Sequence, residues 1–158
     1  MAKAEQEGTE QQGFDEQFQQ LFTSMVELAF ELVGWDKEEV DEVYVFGSME
    51  DGYYYNTLYR INGTLVTTNN INTVSKRQFD NSSSRIASML KLGSRELFKT
   101  ANLFKEFDRE VPTLMKMVYH PKTGAFDNDI SYELHHSNKA DKLEADVFRE
   151  WYTELGGK

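Results

Sequence analysis

Apolar residues along this chain follow two rhythms, and the switches between them predict its elements. From Phe14 they recur at three- and four-residue spacing (Phe14, Phe18, Leu21, Phe22, Met25, Leu28, Ala29, Leu32), with Asp15, Glu16, Gln17, Gln19, Gln20, Glu27 and Glu31 largely on the other side. That period predicts an amphipathic helix ending at Gly34, its aromatic stripe packed into a core. From Val40 to Thr68 the period drops to two, predicting strands over Val40–Met49, Tyr53–Ile61 and Thr64–Thr68. The joints are Asp51-Gly52 and Asn62-Gly63, the dipeptides of a two-residue type I′ turn, whose central residues both take positive φ. Such turns set Tyr44 opposite Tyr59, Phe46 opposite Thr57 and Tyr59 opposite Val66, giving a core face of Tyr44, Phe46, Tyr59, Ile61 and Val66. The other face holds Val43, Val45, Leu58 and Leu65, too apolar to face water alone, and predicts at least partial cover.

Asn69 to Ser75 reads as a polar connection. A second helix starts at the Asn81-Ser82-Ser83-Ser84 cap cluster, with a stripe of Ile86, Met89, Leu90, Leu97, Phe98, Ala101, Phe104 and Phe107. Gly93 lies on that stripe, which allows either the close approach of another backbone or a break with Ser94 as a new N-cap; one long helix is the reading adopted. Pro112 ends it. Thr113 to Leu134 predicts a hairpin around Pro121–Gly124, with Met115 facing Ile130 and Tyr119 facing Phe126 on one side, and Lys116 facing Asp129 and Val118 facing Asp127 on the other. Asp127, Asp129 and Glu133 then form a stripe of carboxylates. The last helix carries Leu143, Val147, Trp151 and Leu155, with Phe148 and Tyr152, and stops at Gly156-Gly157. The expected architecture is α+β, an antiparallel sheet of about five strands packed with three helices in the order α-β-β-β-α-β-β-α. It forms a single domain over residues 14–158, behind a polar Glu/Gln/Gly-rich tail, Met1–Gly13, expected to be disordered.

Composition narrows the function more than the fold. A chain of 158 residues can bury a core without metal or disulfide, and the absence of cysteine excludes a thiol nucleophile and a Cys-ligated zinc site. A polar N-terminus and no run long enough to span a bilayer give a cytoplasmic expectation with no membrane partner. The net charge is −10, yet Val74 to Arg109 holds eight basic residues against four acidic ones, so that segment is +4 and the remainder −14. The basic helix lacks aromatic residues alternating with its charges and reads as a solvated face. The overall balance argues against nucleic acid as a direct partner and favours a basic protein, or solubility alone.

Catalytic chemistry finds no frame. Asp127, Asp129 and Glu133 carry oxygen ligands, but a strand spreads them along a ribbon and Lys116 competes for Asp129, so no metal is assigned. His135 and His136 point to opposite sides of an extended chain, and His120 sits beside a turn; all three read as turn or surface histidines. There is no Gly-x-Ser-x-Gly elbow, Walker A loop, Gly-x-Gly-x-x-Gly or His-Glu-x-x-His, and no catalytic residue or cofactor is assigned. The residues suited to a protein partner are Glu50 and Asp51 at a hairpin tip, the neighbouring Tyr53, and the stripe of Asp127, Asp129 and Glu133.

The amphipathic first helix, the Asp-Gly turn leading into Tyr53-Tyr54-Tyr55-Asn56, the helix from Glu96-Leu97-Phe98 to Leu103-Phe104-Lys105, and the Pro, strand, Gly turn and aspartate-bearing strand together resemble the YezG-like immunity proteins over roughly Phe14 to Glu133. The long polar tail, the Asn69–Ser84 segment and the His135-His136 lead into a Trp-bearing helix depart from that pattern. The resemblance implies a non-enzymatic cytoplasmic antitoxin that binds a cognate toxin domain, a basic nuclease above all, and blocks it. Glu50, Asp51, Tyr53, Asp127, Asp129 and Glu133 would then be its contacts. The alternative is a small-molecule or peptide-binding module, or an adaptor or secretion chaperone, using a concave apolar groove between helix and sheet.

Overall fold

The computed structural model describes residues 3–158, with side chains from residue 13 onward. The tail expected over Met1–Gly13 therefore falls, apart from Gly13, outside the residues described in full. Among the described residues the order is α1 (Lys3–Leu32), β1 (Val40–Ser48), β2 (Tyr54–Ile61), β3 (Thr64–Thr67), a 3-10 turn (Thr68–Asn70), α2 (Ile71–Val74), α3 (Ser83–Glu106), β4 (Leu114–His120), β5 (Ala125–Ser131) and α4 (Glu144–Glu154). The five strands make one antiparallel sheet in the order β3-β2-β1-β4-β5, with β3 and β5 at its edges. The α+β class and the five strands stand, and the count of three helices is corrected to four. The polar connection after β3 winds into the 3-10 turn and α2 because Ile71 buries completely while Asn72 and Asn81 bond the neighbouring backbone.

Both faces of the sheet are covered. Val43, Val45, Tyr55, Tyr59, Ile61, Met115 and Met117 pack under α1 and α3, whereas Tyr44, Phe46, Leu58 and Leu114 pack under Val147, Phe148 and Trp151 of α4. The cover expected for the second face is thus α4. The expected β1–β2 register is off by one: Tyr44 pairs with Leu58 and Phe46 with Asn56, so Tyr44 and Phe46 lie on the opposite face from Tyr59, Ile61 and Val66. The cause is the loop. Ser48 pairs with Tyr54, leaving five residues between the strands instead of a two-residue turn at Asp51-Gly52, and of that dipeptide only Gly52 has positive φ. The Asn62-Gly63 turn is as expected, both residues lying at positive φ between the paired Ile61 and Thr64. The second hairpin keeps every expected pair, Met115 with Ile130, Lys116 with Asp129, Val118 with Asp127 and Tyr119 with Phe126, although β5 stops at Ser131.

Two tyrosines fix α1 over the sheet. The Tyr55 hydroxyl donates to the Met25 carbonyl at 2.6 Å and that of Tyr59 to the Ala29 carbonyl at 2.7 Å, one helical turn apart. Desolvation in this dry layer pushes both phenols well above their ordinary range. Helix α3 runs unbroken through Gly93, where a Cβ would stand 2.2 Å from the Tyr55 ring; the glycine admits a side chain instead of the expected backbone. On the opposite face, Arg60 of β2 donates to the Leu155 carbonyl at 3.0 Å, placing a cation at the C-terminal end of α4.

Candidate functional site

The residues singled out for partner contact divide into three groups. Ser48 pairs with both Tyr54 and Leu114, and Leu114 with Ser131, so the 49–53 loop and the chain after β5 leave the sheet at the same end. Asp51, Tyr53 and Glu133 are exposed at that end. Tyr53 lies edge-on to Phe98 of α3, ring centroids 5.4 Å apart, and both rings face water. Asp129 and Asp127 lie progressively further back along the edge strand, both exposed, with Asp127 3.2 Å from His120.

Glu50 differs in kind. Its side chain is 1% exposed, and its carboxylate accepts the backbone N–H groups of His135 (2.6 Å), His136 (3.1 Å) and Ser137 (2.5 Å). Burial alone would raise its pKa, but the Ser137 side chain and these amides outweigh it and hold the carboxyl at about 2. The carboxylate is consumed within the chain and is not presented to a partner. Glu39 plays a parallel part, accepting the amides of Lys76 (2.7 Å) and Arg77 (3.0 Å) and the Asn62 amide group (2.9 Å), which hold its pKa below the usual carboxylate range. Sequence reading misses both anchors, because their partners lie 23 to 87 residues away.

The histidines also depart from expectation. His136 is buried, not at the surface, its Nε2 3.9 Å from Glu50 and 3.8 Å from Glu144 and without a hydrogen-bond partner. His135 bonds the Ser131 hydroxyl at 2.8 Å. Among the described residues no three His, Asp or Glu side chains converge on a position that could hold a metal, and no helix is long and apolar enough to cross a membrane.

A concave feature lies where α1 overhangs the β4–β5 side of the sheet. It is a cleft of about 730 Å³ walled by Phe18, Phe22, Phe30, Trp35, Tyr119 and Phe126. Its polar rim includes Asp15 and Glu27 from α1 and Lys37 from the loop that follows. The end of α1 builds one wall: Gly34 donates to Glu31 and Trp35 to Phe30, the paired bonds of a Schellman motif. That motif brings Trp35 edge-on to Phe30, with centroids at 5.4 Å. Trp35 itself takes φ of 58° and remains 49% exposed. A left-handed backbone at a bulky residue costs of order 1 kcal/mol, and such outliers gather at binding sites. Phe126 closes the opposite wall, 5.5 Å from Phe22.

No protein-family model matches the chain, and no curated protein matches it significantly.

Proposed function

We propose that this chain is a non-catalytic binding protein of the immunity type, which occupies and neutralises a basic toxin domain such as a nuclease. The observation that carries the reading is the β5 edge. None of its residues is buried; it ends an otherwise covered sheet and alternates Asp127 and Asp129 with Phe126 and Ile130. The chain beyond it adds Glu133 between Tyr132 and Leu134, both about half exposed. Carboxylates interleaved with exposed aromatic and aliphatic groups suit a cationic protein surface. The charge accelerates encounter, and the rings supply area to bury once water is displaced. A nuclease must carry positive charge to hold phosphates, so an acidic inhibitor covers the surface that its substrate needs.

The contact set proposed is Asp51, Tyr53, Asp127, Asp129 and Glu133, with Glu50 supporting it by fixing the chain after β5. Reversing Asp51 and Asp127 together to lysine is expected to slow association with the partner by about tenfold at low salt while leaving stability within about 0.5 kcal/mol. The partner is first recovered from native cells on the tagged chain at low and moderate salt. A stoichiometric basic domain supports the function; retention of none while such domains are expressed removes it, and an unchanged on-rate removes the contact set. A second reading, a small-molecule or peptide-binding module, draws on the aromatic cleft beneath α1.

A further inference from the structure

The cleft is a trough, and its length decides what it can hold. Its α1 wall is formed by residues 15, 18, 19, 22, 23, 26, 27 and 30, one complete face of the helix over four turns. At 1.5 Å per residue that wall is about 22 Å long. A volume of about 730 Å³ drawn out over such a length is narrow, a slot for a row of side chains. Phe18, Phe22, Val26 and Phe30 recur along it every four residues, a rise of about 6 Å on the helix axis, and the Phe18 and Phe22 rings stack on each other, centroids 4.3 Å apart, into one aromatic surface against which side chains of a second helix can seat. The opposite wall comes from Tyr119 and Phe126, cross-strand neighbours on the last two strands, and from Trp35.

Charge then selects the occupant. Between Gly13 and Leu32 the helix carries Asp15, Glu16, Glu27 and Glu31 and no basic residue. Asp15 and Glu27 rim the trough near its two ends, about 18 Å apart, against Lys37 at the Trp35 end. A second copy docked through the same face would bring the same carboxylates against these and be repelled. We infer that the trough is a docking groove for an amphipathic basic helix, with large apolar side chains at i, i+3/i+4 and i+7 seated along the stacked Phe18–Phe22 pair, Val26 and Phe30 and flanking Lys or Arg reaching Asp15 and Glu27. It deepens the immunity reading by assigning a second contact on the same partner, and rests on that reading only for the partner's identity.

The test uses the full chain and a synthetic 16-residue Leu/Lys helix free of aromatic residues, followed through tryptophan emission. Trp35 lies in the groove, while Trp151 is buried between α4 and the opposite face of the sheet and should not respond. A saturable change in emission at about 50 mM salt is expected, weakened at about 300 mM and lost in Trp35→Phe. Replacing the peptide's lysines by glutamate, or changing Asp15 and Glu27 together to lysine, should weaken binding at least about tenfold. Asp127→Lys with Asp129→Lys should change it less than about threefold, since those residues do not line the groove. Equal loss from both pairs of substitutions would mean attraction to acidic surface at large and would overturn the groove. So would equal binding of the glutamate peptide, no saturable change, or self-association of the chain that the peptide disperses. If a neutral apolar dye binds there and the peptide cannot displace it, the site belongs to a small molecule and the inference fails. Failure of the immunity reading shows separately, as an empty pull-down beside intact peptide binding.

Discussion

The β1–β2 and β4–β5 hairpins are built from similar residues and meet opposite fates. Each offers aromatic rings to the α1 side of the sheet and carboxylates near a turn. In the first, Tyr55 and Tyr59 are buried with their hydroxyls bonded to α1, and Glu50 is enclosed by three amides. In the second, Phe126 is 40% exposed against the cleft and Asp127 stands in water. The difference is position: β1 and β2 each have a strand on both sides and α3 above, whereas β5 has one neighbour and no helix seated squarely over it. What makes a ring core or contact surface here is how far across the sheet the helices reach.

That contrast can be tested by disturbing each side in turn. The largest effect is expected at the closed side from Gly93→Val, whose side chain must displace the Tyr55 ring; a loss of roughly 3 kcal/mol should appear as a lower urea midpoint. Next comes Glu50→Gln, which removes the charged acceptor from three amides and is expected to cost about 2–3 kcal/mol at neutral pH. Its pH dependence gives the sign. Because the folded pKa of about 2 lies below the ordinary 4.5, the stabilisation is complete above pH 4.5 and is lost as pH falls from there through about 2. The native chain should therefore shed about 3 kcal/mol across that window and the glutamine variant should lack this part of the slope. At the open side Phe126→Ala should lower stability by only about 1 kcal/mol, because the ring, edge-on to Phe22, is partly in water already. A larger loss there than at Gly93 would erase the distinction between the hairpins.

The register of the second hairpin was legible because one side of its pattern is polar: a one-residue slip would turn Asp127 and Asp129 to the α1 side in place of Phe126 and Ile130. Strand β1 gives no such guide. Val43 and Val45 point one way, Tyr44 and Phe46 the other, and all four are buried, so periodicity cannot choose between registers and the Asp51-Gly52 dipeptide supplied the wrong one. Of the acidic candidates, Glu50 and Asp51 are neighbours in sequence, and only the return of residues 135–137 distinguishes a buried anchor from an exposed charge. The cleft was hidden for a related reason. Phe14 and Phe18 lie on one predicted stripe, but Phe14 packs with Phe104 while Phe18 also lines the cleft, a difference set by where α1 lies across the sheet.

The cover on the second face of the sheet has a consequence in time. Tyr44, Phe46 and Leu58 are made well before the helix that shields them, which carries Val147, Phe148 and Trp151. At ribosomal rates of about 5–20 residues per second, the interval between Leu58 and Trp151 is on the order of ten seconds. Throughout it that apolar surface lacks the helix that covers it. A product halted before Glu144 would keep the surface bare, so α4 acts as the seal on a sheet whose five described strands were all synthesised before it.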